Sequence, residues 1–171
     1  MNMLNKRNLL IAMCGLLLLL LSCVNSVEAD RLEFILHPDK QLEISEMRLP
    51  DSTSYLEYRL VDGDGVVFEY HYLDPGKPNV TDTEYAERLL WQISSGVTRF
   101  ELVDSALTGA RCIYRRSCFC ADTQPLYVSQ GRLSGAIRNG IWFIQGDVTV
   151  DLPHQNTPHG LQFFGDFQEE K

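Results

Sequence analysis

Apolar residues along most of this chain fall into short runs separated by turn formers, the pattern of a β protein. Leu32-Glu33-Phe34-Ile35-Leu36, closed by His37-Pro38, predicts a first strand. Residues 55–61 and 66–72 are rich in aromatic and β-branched side chains. They flank Asp62-Gly63-Asp64-Gly65, whose glycines take positive φ without steric cost, and together predict a hairpin turning at that tetrapeptide. Asp74-Pro75-Gly76-Lys77-Pro78 is a loop by its breakers.

One segment predicts a helix, over residues 82–95. Thr81 and Glu84 have capping-box spacing. Tyr85, Leu89 and Ile93 recur at i, i+4 and i+8 with Ala86 and Leu90 beside them, giving one apolar stripe. Glu84, Glu87 and Arg88 mark a wet face, Gly96 is the stop, and Trp91 falls at the edge of the stripe. After Gly96, strands are expected at 97–103, 111–116, 126–129, 132–137, 141–144, 148–152 and 161–167. Turns are expected at Gln130-Gly131, Asn139-Gly140 and Gln145-Gly146-Asp147. The predicted class is α+β, a largely antiparallel sheet with the one amphipathic helix packed on it.

The first 23 residues break the pattern. Residues 1–8 carry Lys6 and Arg7 and no acid, residues 9–21 are uncharged and mostly leucine, and Ser22-Cys23 closes the run. A basic start, an apolar stretch of about 7–15 residues and a small residue at its end predict an export signal. The run falls short of the roughly 20 apolar residues of a membrane span. Leu20-Leu21-Ser22-Cys23 resembles a bacterial lipobox, which implies cleavage before Cys23 and acylation there. The usual two lipid groups would then anchor the chain stably in a membrane. Val24 after the cysteine implies, by resemblance to bacterial lipoproteins, the periplasmic face of the outer membrane. On this reading residues 1–22 are a signal peptide, 23–30 a tether and 31–171 a single globular domain. Cleavage after Val27-Glu28-Ala29 is the alternative and would release a soluble periplasmic or secreted protein.

Without residues 1–22, which hold two cations and no acid, the net charge of −8 becomes −10 over 149 residues. That length suits one domain with a proper core. The acidic balance argues against nucleic acid and anionic head groups, and suits solubility or a basic protein partner.

Besides Cys14 and Cys23 the cysteines are Cys112, Cys118 and Cys120. An oxidising compartment invites disulfides, and three cysteines leave one unpaired. On a strand Cys118 and Cys120 would face the same way with Cα atoms about 7 Å apart, long for a bridge unless the backbone bends. A bond from Cys112 to Cys118 or Cys120 is therefore expected, Cys120 slightly favoured because residues 121–124 let that end turn. Zinc needs about four ligands, and His154 and His159 do not complete such a set, so neither metal nor cofactor is expected.

Arg115-Arg116-Ser117-Cys118-Phe119-Cys120 resembles the Cys-Phe-Cys signature of a family of small exported bacterial proteins, many of them lipoproteins, whose domain has no assigned function. Trp91 before it and Pro125-Leu126-Tyr127-Val128, Gly131 and Arg132 after it match the family's order over residues 84–140. Cys112 and residues 104–110 read as an insertion. The resemblance implies an exported, cysteine-bearing sheet domain and no activity.

No Gly-x-Ser-x-Gly surrounds Ser94, Ser95 or Ser134, and Asp62-Gly63-Asp64-Gly65 lacks the spacing and final Glu of a calcium loop. Arg111 and Arg115 would share a strand face opposite Arg116 and read as a solvated edge. Without an acid/base, nucleophile or metal constellation, the expected function is a non-enzymatic envelope lipoprotein, an interaction or structural module facing the periplasm. Two other readings stay open. One is an immunity or inhibitor protein that binds a basic toxin or hydrolase. The other is a thiol–disulfide protein using Cys118 and Cys120, with Cys112 as resolver and Arg115 and Arg116 to favour a thiolate.

Overall fold

A computed structural model describes residues 29–48, 54–77 and 80–169. The predicted signal and lipobox, with Cys14 and Cys23, lie outside the described residues. The strands are β1 (Arg31–Arg48), β2 (Ser54–Asp74), β3 (Tyr85–Ser94), β4 (Arg99–Val103), β5 (Ile113–Ser117), β6 (Leu126–Tyr127), β7 (Gln130–Arg138), β8 (Ile141–Val150) and β9 (His159–Glu169). One five-residue helix, α1 (Ser105–Gly109), follows β4 and puts Leu107 into the core. Strand makes up 68 % of the described residues and helix 4 %, so the class is all-β and not the expected α+β.

The helix expected over residues 82–95 is β3, which pairs with β2 on one side and β5 on the other. Residues four and eight apart share a face in a strand as they do in a helix, so Tyr85, Leu89 and Ile93 did not discriminate. Glu87 and Trp91, misfits on the helical stripe, complete the inward face of the strand. Leu90 faces the other way and is also buried, because β3 is covered on both sides.

The sheet order is β4-β7-β8-β9-β1-β2-β3-β5-β6. Every pairing is antiparallel except the seam between β1 and β9, where Ile35 and Leu36 pair with Gln168 and Glu169. Laid flat, β2 and β8 would be about 14 Å apart, three steps of roughly 4.8 Å. Yet Phe68 on β2 meets Trp142 on β8 edge to face at 5.2 Å and Phe100 on β4 at 5.7 Å. The sheet therefore folds over at the seam into two layers, with an aromatic core of Phe68, Tyr70, Trp91, Trp142, Phe163 and Phe167 between them.

Three expected turns are corrected. Gln130-Gly131 opens β7, paired with Thr149 and Val148. Gln145-Gly146-Asp147 lies inside β8, paired with Phe164, Phe163 and Gln162. A Cβ at Gly146 would sit 2.3 Å from the Phe163 ring, so this glycine makes room in the core and turns nothing. Asp62-Gly63-Asp64-Gly65 is likewise no hairpin turn, because β2 runs through it without a break. Pro38 pairs with Val66 and Lys40 with Asp62, so Asp39, at φ 54°, faces three residues of β2. This is an enlarged β-bulge, and bulges bend the strands that carry them. The hairpin here is β1 with β2, and beyond the bulge the two continue as an arm: Lys40 to Arg48 against Ser54 to Asp62. At the other end of the molecule Asn139 and Gly140, both at positive φ, turn β7 into β8 as their dipeptide predicts.

Candidate functional site

The arm lies over the outer face of β2 and β3. Leu42, beyond the bulge, is 0 % exposed and packs with Val67 and Leu90, flanked by Ile44, Tyr58 and Leu60. Its backbone is held as well. Leu42 N–H donates to Gln92 Oε1 at 2.8 Å, and the Arg111 guanidinium donates to the Leu42 carbonyl. Arg111 adopts φ 51° just before β5, a conformation that costs a non-glycine residue about 1 kcal/mol or more.

Between the arm and the β5/β6 edge runs an open trough of about 720 Å³. Glu43 and Ser45 of β1 and Tyr55 to Arg59 of β2 form one wall; Arg115 and Thr123-Gln124-Pro125 form the other. A recess of about 320 Å³ continues it past Tyr55, Leu56, Gln124 and Pro125 to Leu126 and Tyr127. Glu43 and Arg59 neutralise each other at 2.8 Å, whereas Glu57 and Arg115 have no ion-pair partner among the described residues. The trough thus offers two tyrosines, one free carboxylate and one free guanidinium. Tyr and Arg are the side chains most enriched where proteins bind one another.

The buried charged groups are closed on one another or on histidines. All four histidines of the chain meet a carboxylate: His37 with Glu69 at 3.0 Å, His71 with Glu33 at 3.3 Å, His154 with Asp122 at 2.5 Å and His159 with Glu87 at 2.7 Å. The last contact is a close approach without hydrogen-bond alignment. Glu87 faces the interior and accepts from the hydroxyls of Tyr85 and Tyr114. Burial and the neighbouring carboxylate push the Tyr85 hydroxyl up to about 12 and raise that of Tyr114 further, so both remain donors. Glu69, on the outer face, lies 3.5 Å from Arg88. Burial acts to raise its pKa, but the His37 bond and the Arg88 and histidine charges outweigh this and hold it below the ordinary carboxylate value. Asp122 is lowered in the same way: burial opposes ionisation, and the bonds from His154 together with Arg116 prevail.

The arginine trio expected to form one solvated edge does three different things. Arg111 clamps the arm, Arg116 is buried against Asp122, and Arg115 is exposed in the trough. The expected bridge from Cys112 is not formed. Cys112 is buried and free, and burial pushes its thiol pKa up, which keeps it protonated and inert. Cys118 pairs with Cys120 instead. β5 stops at Ser117 and the chain bends, bringing their Cα atoms to 5.2 Å, well inside the separation of an extended strand. This small loop leaves Phe119 85 % exposed. Among the described residues no three His, Cys, Asp or Glu side chains converge to hold a metal, and no helix is long and apolar enough to cross a membrane. Sequence reasoning missed the trough altogether. Its walls come from residues 43–59 and 115–125, brought together only by the bend at Asp39.

Comparison of this chain with protein-family models, with curated proteins and with solved structures finds no match in any of the three.

Proposed function

We propose that this chain is a non-enzymatic interaction module of the bacterial cell envelope, acylated at Cys23 and facing the periplasm, that holds a protein partner in the trough beneath its arm. The observation that carries the reading is the pairing of Tyr55 and Tyr58 with an unneutralised Glu57 and Arg115 in an open trough. The four histidines and the buried carboxylates Glu69, Glu87 and Asp122 are committed to contacts within the fold. Two carboxylates and two guanidiniums line the trough, so the acidity of the chain is not focused there, and a basic toxin or hydrolase is not favoured as its occupant.

The test places a photo-crosslinking amino acid at Tyr55 in the full-length protein in cells, with a second variant carrying it at Gln162 on the far layer. Adducts from position 55 that disappear with Arg115→Glu, and none from position 162, support the proposal. An absence of adducts from position 55, or equal yields from both positions, overturns it.

A further inference from the structure

The strands of one layer end flush where β1 begins. Arg31 pairs with Leu73, Asp74 with Tyr85, and Ala86 with Ser117, so the starts of β1 and β3 and the ends of β2 and β5 share one rim. Three large apolar side chains stand out of this rim: Leu32 at 50 % exposure, Val80 at 51 % in the loop joining β2 to β3, and Phe119 at 85 % in the Cys118–Cys120 loop. Leaving three such groups facing water adds nothing to the stability of the fold itself. Phe119 lies three strand steps from Arg31, about 14 Å along the sheet.

We infer that this rim is a membrane-contacting surface, with Phe119 as the residue that enters the lipid interface. The inference rests on the proposed acylation of Cys23. Seven residues, 24–30, separate that cysteine from β1, and a chain of that length reaches at most about 25 Å. An anchor so close to Arg31 keeps this end of the molecule within reach of the bilayer. The charges on the rim select the lipid. Asp30, Asp74, Asp82 and Glu84 outnumber Arg31 and Lys77, so the surface suits zwitterionic head groups and is repelled by anionic ones. An aromatic ring held outward on a short covalent loop loses little freedom when it settles at the interface, where such rings partition.

The test uses the full-length acylated protein in phosphatidylcholine vesicles whose acyl chains are brominated near the glycerol. Phe119→Trp is compared with Phe164→Trp, which reports an exposed position on the other layer; native Trp91 and Trp142 are buried and give a constant background. The expected result is blue-shifted emission and quenching by brominated lipid for Phe119→Trp alone, weakened when anionic lipid replaces phosphatidylcholine. Equal quenching of both variants by aqueous iodide, with no effect of the bromines, overturns the inference. The mass of the N-terminal peptide from the same preparation separates the two levels. An acylated Cys23 with a water-exposed indole at position 119 overturns the rim assignment alone, whereas an unmodified N-terminus overturns the anchoring and this inference with it.

Discussion

On β2, Phe68 touches Trp91, Phe100, Trp142 and Phe167, rings contributed by four other strands. Ten residues earlier on the same strand, Tyr58 packs only against the small cluster of Leu42, Val67 and Leu90. The body of the sandwich is therefore closed by many large apolar contacts from distant parts of the chain. The arm is held to it by a few small aliphatic contacts and by two side chains, Gln92 and Arg111, that grip the backbone of Leu42. One strand thus passes from a cooperative region into a detachable one, and the bulge at Asp39 marks the change. Regions with few buried apolar contacts open at lower free energy than the core, and such regions supply the surfaces that bind.

The sharpest separation comes from truncating each side in turn. Phe68→Ala removes a fully buried ring from the middle of the core and should cost about 3–5 kcal/mol, a large share of the stability of an ordinary domain. Urea denaturation would register it as a lower midpoint for the whole protein. A loss below roughly 1 kcal/mol, within the range of a surface substitution, would dissolve the distinction between body and arm.

A smaller and differently shaped effect is expected from Leu42→Ala, about 2 kcal/mol, the low end for a buried leucine because its cluster is small enough to relax. Amide exchange should quicken in the arm, at residues 42–46 and 56–60, while protection at Phe163 and Phe167 is retained. Equal loss of protection in both regions would show that arm and body unfold as one.

The smallest effect is a pH dependence at the root of the arm, where Glu69 meets His37 and Arg88. Its carboxyl is held below the ordinary value of 4.5, so its ionised form favours the folded state. That contribution is complete above about pH 4.5 and is lost as the pH falls below it toward the lower folded value. The melting temperatures of the wild-type protein and Glu69→Gln should therefore differ most near neutrality and converge in acid. A gap that persists unchanged in acid would remove Glu69 from the account.

Much of the β content was legible in the residues themselves. Asn139-Gly140 allows only one kind of turn, and the aromatic and β-branched runs around it could hardly be anything but strands. Three other signals were ambiguous for physical reasons. A four-residue apolar repeat suits helix and strand alike, so β3 could be read either way, and Trp91 was the residue that told them apart. Glycine serves space as well as rotation. Gly146 clears the Phe163 ring, and Gly63 and Gly65 accommodate the bulge, where sequence alone suggests turns. The cysteine pairing hung on whether the chain bends after Ser117, a bend spanned by the buried contact of Arg116 with Asp122 six residues on. The trough was out of reach altogether, since it depends on how far the bulge tips the arm.

At 21 residues β2 is about 70 Å of unbroken backbone, with the trough wall near its start and the aromatic core near its end. It is in effect a tension member. A force applied at Tyr55 and resisted at Arg31 draws two antiparallel strands past each other along their length. Their hydrogen bonds lie across that direction, so they resist together and do not peel one at a time.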